Sequence, residues 1–378
     1  MRLLFLTGSR GEWGYIRPIL RLCRDRTEIE YAICATNMHL LPAYGLSVDE
    51  IRADGFDVTD EIYMALEGDT HHAMAKSLGL FLVSFVDVLK RFQPDWLILA
   101  GDRGEQLMGS IAGAYTYVPS AHIQAGELSG NIDGVSRHAI GKFAHLHFAA
   151  NEDAASRLRN LGEEEFRIHV VGAPQLDDLV QRNFTPREQL YERFNIDLSK
   201  PYLLVVQHPV TEEYHLARDQ VAELSRALRS FEMPKVWVLP NNDAGSHIIR
   251  QGIFQYKHGE IYTFNNLNRE DYLGFLGHAA CIVGNSSSAI LEAPTFKVPA
   301  VNLGRRQQHR LQGKNVLNAP YVSSKIVEAV EQACSEAFRK GLDDCVNPYG
   351  DGHSSERILR ILLETPRDAK LLTKHLTY

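Results

Sequence analysis

The sequence predicts an α/β protein of two Rossmann-like domains, each built on a parallel sheet, with a cleft between them. Three observations carry this. Short β-rich runs alternate with helical stretches from residue 2 to residue 364, which is the pattern of βαβ units. The alternation pauses once, between Gly172-Ala173-Pro174 and Thr185-Pro186, and then restarts. The 378 residues are also long for a single core. The domains are therefore expected at 1–180 and 181–360, with 361–378 a tail that returns to the first.

In the first half, strands are predicted at 2–6, 30–35, 96–100, 120–124, 147–150 and 168–171. Helices are predicted at 15–26, 71–91, 105–115, 135–144 and 151–161, where apolar residues recur at helical spacing. Asn151 stands where an N-cap belongs. In the second half, strands are predicted at 202–206, 235–239, 261–264, 281–283 and 298–302. Helices follow at 217–230, 244–255, 269–277, 290–293, 325–340 and 355–364. Right-handed crossovers put the loops that follow the strands on one edge of each sheet, where ligands bind.

Composition narrows the function. Charged residues are 23% and hydrophobic residues 44% of the chain, as in ordinary globular proteins. A net charge of −7 argues against a nucleic-acid footprint and leaves room for a local basic pocket. No apolar run reaches bilayer length, and residues 1–8 read as a first strand rather than a signal peptide. The five scattered cysteines, without a CxxC, fit reduced cytoplasmic thiols. His138, His145, His147 and the pair His71-His72 lack zinc-site spacing, so no metal is expected.

The chemistry is expected in the loops after the strands. Gly284-Asn285-Ser286-Ser287-Ser288-Ala289-Ile290-Leu291-Glu292-Ala293 follows an apolar run and opens a helix. Free N–H groups and hydroxyls at a helix start suit a diphosphate. Glu292, about one and a half turns in, is placed to accept sugar hydroxyls. Ser and Asn are also ordinary N-caps. Gly8-Ser9-Arg10-Gly11-Glu12-Trp13-Gly14 closes the first strand, with Arg10 suited to a phosphate or carboxylate. Gly101-Asp102-Arg103, Gly126-Glu127 and Asn131-Ile132-Asp133 share one edge. Carboxylates grouped there can divide acid and base roles. Arg137, four residues after Asp133, is expected to pair with it. In the second half His208 is suited to a phosphate contact or proton transfer, and Arg306 to a phosphate. Asn242 lies in a third polar loop on that edge.

With these loops in view, the chain resembles the hydrolysing UDP-N-acetylglucosamine 2-epimerases of the sialic-acid pathway along nearly its whole length. The matching motifs are Gly8–Glu12, Gly101-Asp102-Arg103, Gly126-Glu127 with Ser129-Gly130, and Ile132-Asp133 with Arg137-His138-Ala139. They continue with Gln207-His208-Pro209-Val210-Thr211, Pro240 to Ser246, Gly284-Asn285-Ser286-Ser287 with Glu292, and Asn302-Leu303-Gly304 with Arg306-Gln307.

The resemblance implies a GT-B fold, with UDP carried by Ser286, Ser287, Glu292, His208, Asn242 and Arg306. Arg10 and Arg103 would reach the phosphates from the first domain. It implies elimination of UDP to 2-acetamidoglucal, then hydration to N-acetylmannosamine. Asp102, Glu127 and Asp133 match the catalytic carboxylates, and no redox cofactor is called for. A homodimer is the family expectation. Non-hydrolysing members carry a lysine where this chain has Tyr15, which favours the hydrolysing branch. A sister enzyme acting on a UDP- or GDP-linked diacetamido sugar of legionaminic acid synthesis would share every motif. A GT-B glycosyltransferase would not need three carboxylates in its first domain. A binding protein without turnover could keep Ser286, Glu292 and Arg306 alone.

Overall fold

The computed structural model describes residues 1–68, 70–129, 132–241, 243–255 and 259–377. Two compact units are present. The first comprises Met1–Leu128, Ile132–Gln181 and the stretch from Tyr349 onward, and the second is built on Arg182–Pro348.

The first unit holds seven strands. These are β1 (Arg2–Thr7), β2 (Glu30–Thr36), β3 (Asp60–Ile62), β4 (Trp96–Ala100), β5 (Ser120–Ile123), β6 (Leu146–Ala149) and β7 (Ile168–Val170). All pair in parallel, in the order β3-β2-β1-β4-β5-β6-β7. The second unit holds β8 (Leu203–Val206), β9 (Lys235–Val238), β10 (Ile261–Phe264), β11 (Cys281–Gly284), β12 (Ala300–Leu303) and β13 (Val316–Ala319). These also pair in parallel, in the order β10-β9-β8-β11-β12-β13. In each sheet the winding reverses once, between β1 and β4 and between β8 and β11. Ligands of open α/β sheets bind beyond the carboxyl ends of the strands at such reversals.

The central strands are apolar throughout because both faces are covered. β4 reads Trp-Leu-Ile-Leu-Ala and β8 Leu-Leu-Val-Val, and every residue of both is buried. Alternate residues of the first sheet feed two cores. Leu3, Phe5, Trp96 and Ile98 pack with the Arg10–Arg24 and Ser354–Glu364 helices. Leu4, Leu6, Leu97 and Leu99 pack with Phe81, Phe85 and Leu89 of the His71–Phe92 helix. Burying each such side chain contributes about 1.5–3 kcal/mol.

Several elements differ from the sequence expectation. The first helix spans Arg10–Arg24 rather than starting at 15, because the Ser9 hydroxyl accepts the Glu12 N–H at 3.4 Å and caps it. The helix after β5 begins at Ile132, so Asp133 lies in its first turn. Edge strands β3 and β13 were not expected, nor were the short helices Val48–Ala53, Gln175–Val180 and Arg187–Phe194. The return to the first unit begins at Tyr349, earlier than 361. There the Asp177 carboxylate accepts the Ser354 and Ser355 N–H groups at 3.0 and 2.7 Å, capping the Ser354–Glu364 helix.

One exclusion also needs correcting. The 22-residue His71–Phe92 helix is long and apolar enough, by length and composition, to cross a bilayer. Here its Phe81, Phe85, Val88 and Leu89 side is buried in the core of the first unit.

Candidate active site

In the first unit, β4 and β5 are neighbours with Leu97 opposite Ser120, so the loops that follow them leave the sheet side by side. The β4 loop carries Asp102 and Arg103. The β5 loop carries Glu127 and leads to the Ile132–Phe143 helix, which carries Asp133 and Arg137. Arg137 is buried. One of its nitrogens donates to Asp102 and another to the Gln124 carbonyl at 2.7 Å. The ion pair seen is with Asp102, and it ties the two loops together.

The buried Glu127 accepts a hydrogen bond from Asn151 Nδ2 at 3.3 Å. The other end of Asn151, Oδ1, caps the Glu152–Asn160 helix at 3.0 Å. His122 Nε2 lies 2.7 Å from the Gly101 carbonyl, so that nitrogen carries the proton. Burial lowers the His122 pKa to about 3 and keeps the ring neutral. It therefore pins the Gly101-Asp102 turn without adding charge. Arg10 is the first residue of the helix after β1, and Arg103 Nε donates to Glu105 at 3.3 Å.

In the second unit, Asn285 is the hub. Its Oδ1 accepts the His208 N–H at 2.7 Å and its Nδ2 donates to the His208 carbonyl at 2.8 Å. The Asn285 carbonyl accepts from Arg306 at 3.3 Å and from Gln307 at 3.1 Å. The Tyr321 hydroxyl takes hydrogen bonds from Gln207 and Asn285 at 2.5 and 3.2 Å. Gly284 makes the approach possible. Its φ is +137°, and a Cβ there would stand 2.0 Å from the Val206 carbonyl oxygen. The Asn241 N–H donates to His208 Nδ1 at 3.2 Å. That fixes the tautomer, with the proton on Nε2 as a hydrogen-bond donor. Asn242 lies outside the described residues.

Ser286, Ser288 and Glu292 are buried. The helix expected to open here is a single turn, Ser288–Leu291, and Glu292 closes it rather than lying within it. A long helix dipole is therefore not the basis of any anion binding; hydroxyls and fixed N–H groups are. Glu292 Oε1 pairs with Arg269 at 3.1 Å, and the buried Oε2 has no partner among the described residues. The Tyr272 hydroxyl is buried beside Ser286 and Ser288, and its pKa is pushed up to about 12 by burial and then by Glu292.

The first edge thus offers three carboxylates on neighbouring loops, suited to proton transfer. The second offers hydroxyls, the His208 Nε2–H and Arg306 as donors, and Glu292 as an acceptor for hydroxyls. Residues 21–363 match a family model described as UDP-N-acetylglucosamine 2-epimerase. The chain belongs to this family.

It is 34% identical over 374 residues to the UDP-N,N'-diacetylbacillosamine 2-epimerase (hydrolyzing) of Legionella pneumophila, covering 99% of this chain and 98% of that one. It is 32% identical over 361 residues to a UDP-N-acetylglucosamine 2-epimerase of Neisseria meningitidis, covering 96% and 94%. Its fold is similar to the Neisseria meningitidis UDP-GlcNAc 2-epimerase crystal structure bound to UDP-GlcNAc, with TM-score 0.83 and 18% identity over 97% of this chain and 100% of that one. A Methanocaldococcus jannaschii UDP-GlcNAc 2-epimerase structure gives TM-score 0.83 and 21% identity, with coverage of 97% and 100%. The two parallel-sheet Rossmann-like halves expected from the sequence are those of this nucleotide-sugar 2-epimerase family.

Within this family member, sequence reasoning overlooked the supporting residues. Asn285 stood inside a motif but had no role assigned. Arg269, Tyr272 and Tyr321 lie outside the motifs altogether. Asn151 was read only as a cap, and its second contact needs the fold. His122 is one apolar-strand histidine among 16 in the chain, with nothing local to single it out.

Proposed function

We propose that this chain is a hydrolysing nucleotide-sugar 2-epimerase. It would convert UDP-N-acetylglucosamine and water to UDP and N-acetylmannosamine, the precursor of sialic acids. The observation that carries the reading is the first edge, where the Arg137–Asp102 ion pair joins the loops bearing Asp102, Glu127 and Asp133. The hydrolysing activity in the name of the Legionella pneumophila relative supports the same branch. So does Tyr15, whose ring lies 3.3 Å from where a Cβ on Gly101 would stand. It occupies the position of the lysine of non-hydrolysing members.

In the proposed reaction a base takes the C2 proton while the C1–O bond to UDP breaks, leaving 2-acetamidoglucal. Water then adds its hydroxyl to C1, and a proton is delivered to the opposite face of C2. One water is consumed, UDP is released, and no net oxidation occurs, so the step needs no redox cofactor. Asp102, Glu127 and Asp133 divide the acid and base roles. Arg10, Arg103, Arg306, Ser286, Ser287 and the His208 Nε2–H donate to the diphosphate, whose charge grows as the bond breaks. Asn242 belongs to the same UDP-binding set, and Glu292 accepts ribose hydroxyls.

A second substrate reading, a UDP-linked diacetamido sugar, is favoured by the 34% identity to the Legionella pneumophila enzyme. Proton NMR in D2O with each sugar nucleotide separately decides. Release of UDP with the free sugar deuterated at C2 is expected from one of them. Retention of UDP on the epimerised sugar would refute hydrolysis. Two intact substrates in the presence of demonstrable UDP binding would refute turnover. A cytoplasmic homodimer is part of the proposal. The five free thiols and the exposed Leu80 and Val83 of the His71–Phe92 helix support it, and light scattering tests the dimer.

A further inference from the structure

Two carboxyl groups of the first edge have no part in the proposed reaction, and both are buried. Glu12 is 2% exposed and Glu105 is 1% exposed. Both converge on Gly8, which follows β1 and lies just before Ser9, the cap of the Arg10–Arg24 helix. The Gly8 N–H donates to Glu12 Oε2 at 2.5 Å. On the other side, Glu105 Oε1 stands only 2.1 Å from where a Cβ on Gly8 would be. Only glycine fits between the two. Glu105 Oε1 also accepts from Asn37 Nδ2 at 3.1 Å and from Arg103 Nε at 3.3 Å.

We propose that Glu12 and Glu105 work as a single-charge acid pair that positions Arg103, and the turn carrying Arg10, for an anionic group of the substrate. The pair sits at the β1/β4 switch point, with Glu12 on the helix that Arg10 opens and Glu105 two residues after Arg103. Its charge balance follows from its contacts. Glu105 has the Arg103 guanidinium and the Asn37 amide, which suit a carboxylate. Glu12 makes no ion pair among the described residues; the nearby Arg103 charge is engaged by Glu105 and only partly offsets the cost of a second buried anion beside the first. Glu12 is therefore the neutral member. Burial first, and then the neighbouring Glu105, push its carboxyl well above the ordinary range.

This geometry divides the work. The charged member holds the Arg103 side chain at Nε and so sets the direction of its guanidinium. The neutral member accepts the Gly8 N–H and fixes the start of the helix that carries Arg10. It does so beyond the ordinary capping box, in which the third helical residue would reach back to the amide of the cap itself. Glu12 reaches one residue further, to Gly8. Neither carboxyl touches the reacting atoms, so both are positioning residues.

The inference rests on the proposed role of Arg103 as an anion ligand, and the test separates the two. Glu12→Leu is expected to lower kcat/KM for the sugar nucleotide at least tenfold, and the neutral isostere Glu12→Gln to recover most of that loss. Glu105→Gln is expected to raise KM about tenfold with little change in kcat, the signature of lost uniform binding. In an Arg103→Gln background the same Glu105 change should add less than twofold. A merely structural Glu105 would add its full effect there, and that result would overturn the positioning role. A Glu12→Gln variant as impaired as Glu12→Leu would overturn the neutral assignment. Carbon-13 NMR of the glutamate-labelled wild-type chain is independent of turnover and of variant folding. One glutamate carboxyl should remain protonated at pH 7, and its absence would refute the pair. If the wild type turns over neither sugar nucleotide, the functional reading fails while the carbon-13 result still judges the pair.

Discussion

Arg269→Met should strand the Glu292 carboxylate, and the size of the effect follows from the pair's geometry. Arg269 Nη1 and Glu292 Oε1 are 3.1 Å apart, with the side chains 10% and 6% exposed. Removing one partner of a buried pair typically costs 3–5 kcal/mol. A single contact with slight exposure puts this one at the lower end, about 3 kcal/mol. For a domain of this size each kcal/mol shifts Tm by about 2–4 °C, so the second unit should melt about 6–12 °C lower. Glu292→Gln alone removes the carboxylate facing the guanidinium and should also destabilise. The double variant leaves no stranded charge, so it should recover at least about 1 kcal/mol relative to the sum of the singles. Urea denaturation of the four proteins reads this out, followed at Trp237 of β9, buried in the second unit's core. The orientation of Glu292 should matter to ligand as well. Arg269→Met should weaken UDP binding about tenfold by calorimetry, about 1.4 kcal/mol. Strictly additive stabilities with unchanged UDP affinity would show that Arg269 neither charges nor orients Glu292, and the reasoning would fail.

Three further outcomes are expected. Glu127→Gln should leave UDP binding near wild type and lower turnover by about 10²–10⁴-fold, as for loss of an acid–base group; unchanged turnover removes Glu127 from the mechanism. Asn285→Ala removes both hydrogen bonds to the His208 main chain and should cost about 2–4 kcal/mol in chemical denaturation. A loss below about 0.5 kcal/mol would deny its role as hub. Acid should destabilise the first unit well above the carboxylate range. Burial lowers His39 and His122 to about 3 and His145 and His147 to about 4. Because these folded values lie below the unfolded one, the unfolded chain binds more protons as pH falls, and stability is lost from about pH 6.5 downward. Four such groups give a slope of up to about 5 kcal/mol per pH unit. Flat stability between pH 6.5 and 5 would contradict their burial in neutral form.

The central strands were legible because a strand covered on both faces must be a nearly unbroken apolar run, as β4 and β8 are. β3 failed that test for the same reason in reverse. It is a three-residue edge reading Asp-Glu-Ile, and edges are short and charged. The loops of both edges were legible because glycine, serine and acidic residues interrupt the apolar runs there. What they hold on to was not. The Arg137–Asp102 pair spans 35 residues of sequence and the Arg269–Glu292 pair 23. No local spacing rule reaches that far. The early start of the first helix was readable, since Ser9 and Glu12 have the spacing of a capping box.

The two edges solve different physical problems, and their chemistry follows from that. At the first edge charges of opposite sign are locked together, Asp102 with Arg137 and Glu105 with Arg103. Fixed pairs hold a carboxylate in place before any substrate is present. At the second edge the organising group is the neutral amide of Asn285, which holds the main chain of His208 and lends its carbonyl to Arg306. A donor array held by main-chain hydrogen bonds meets growing negative charge without having to reorganise. A carboxylate at that hub would repel the same charge. An alanine would release the loop. Glutamine, one methylene longer, would not preserve the two short hydrogen bonds without moving β8 from β11, which the missing Cβ of Gly284 already allows to approach as closely as they can. Asparagine is therefore the side chain the second edge requires, and Asn285→Asp should weaken UDP binding more than it weakens folding.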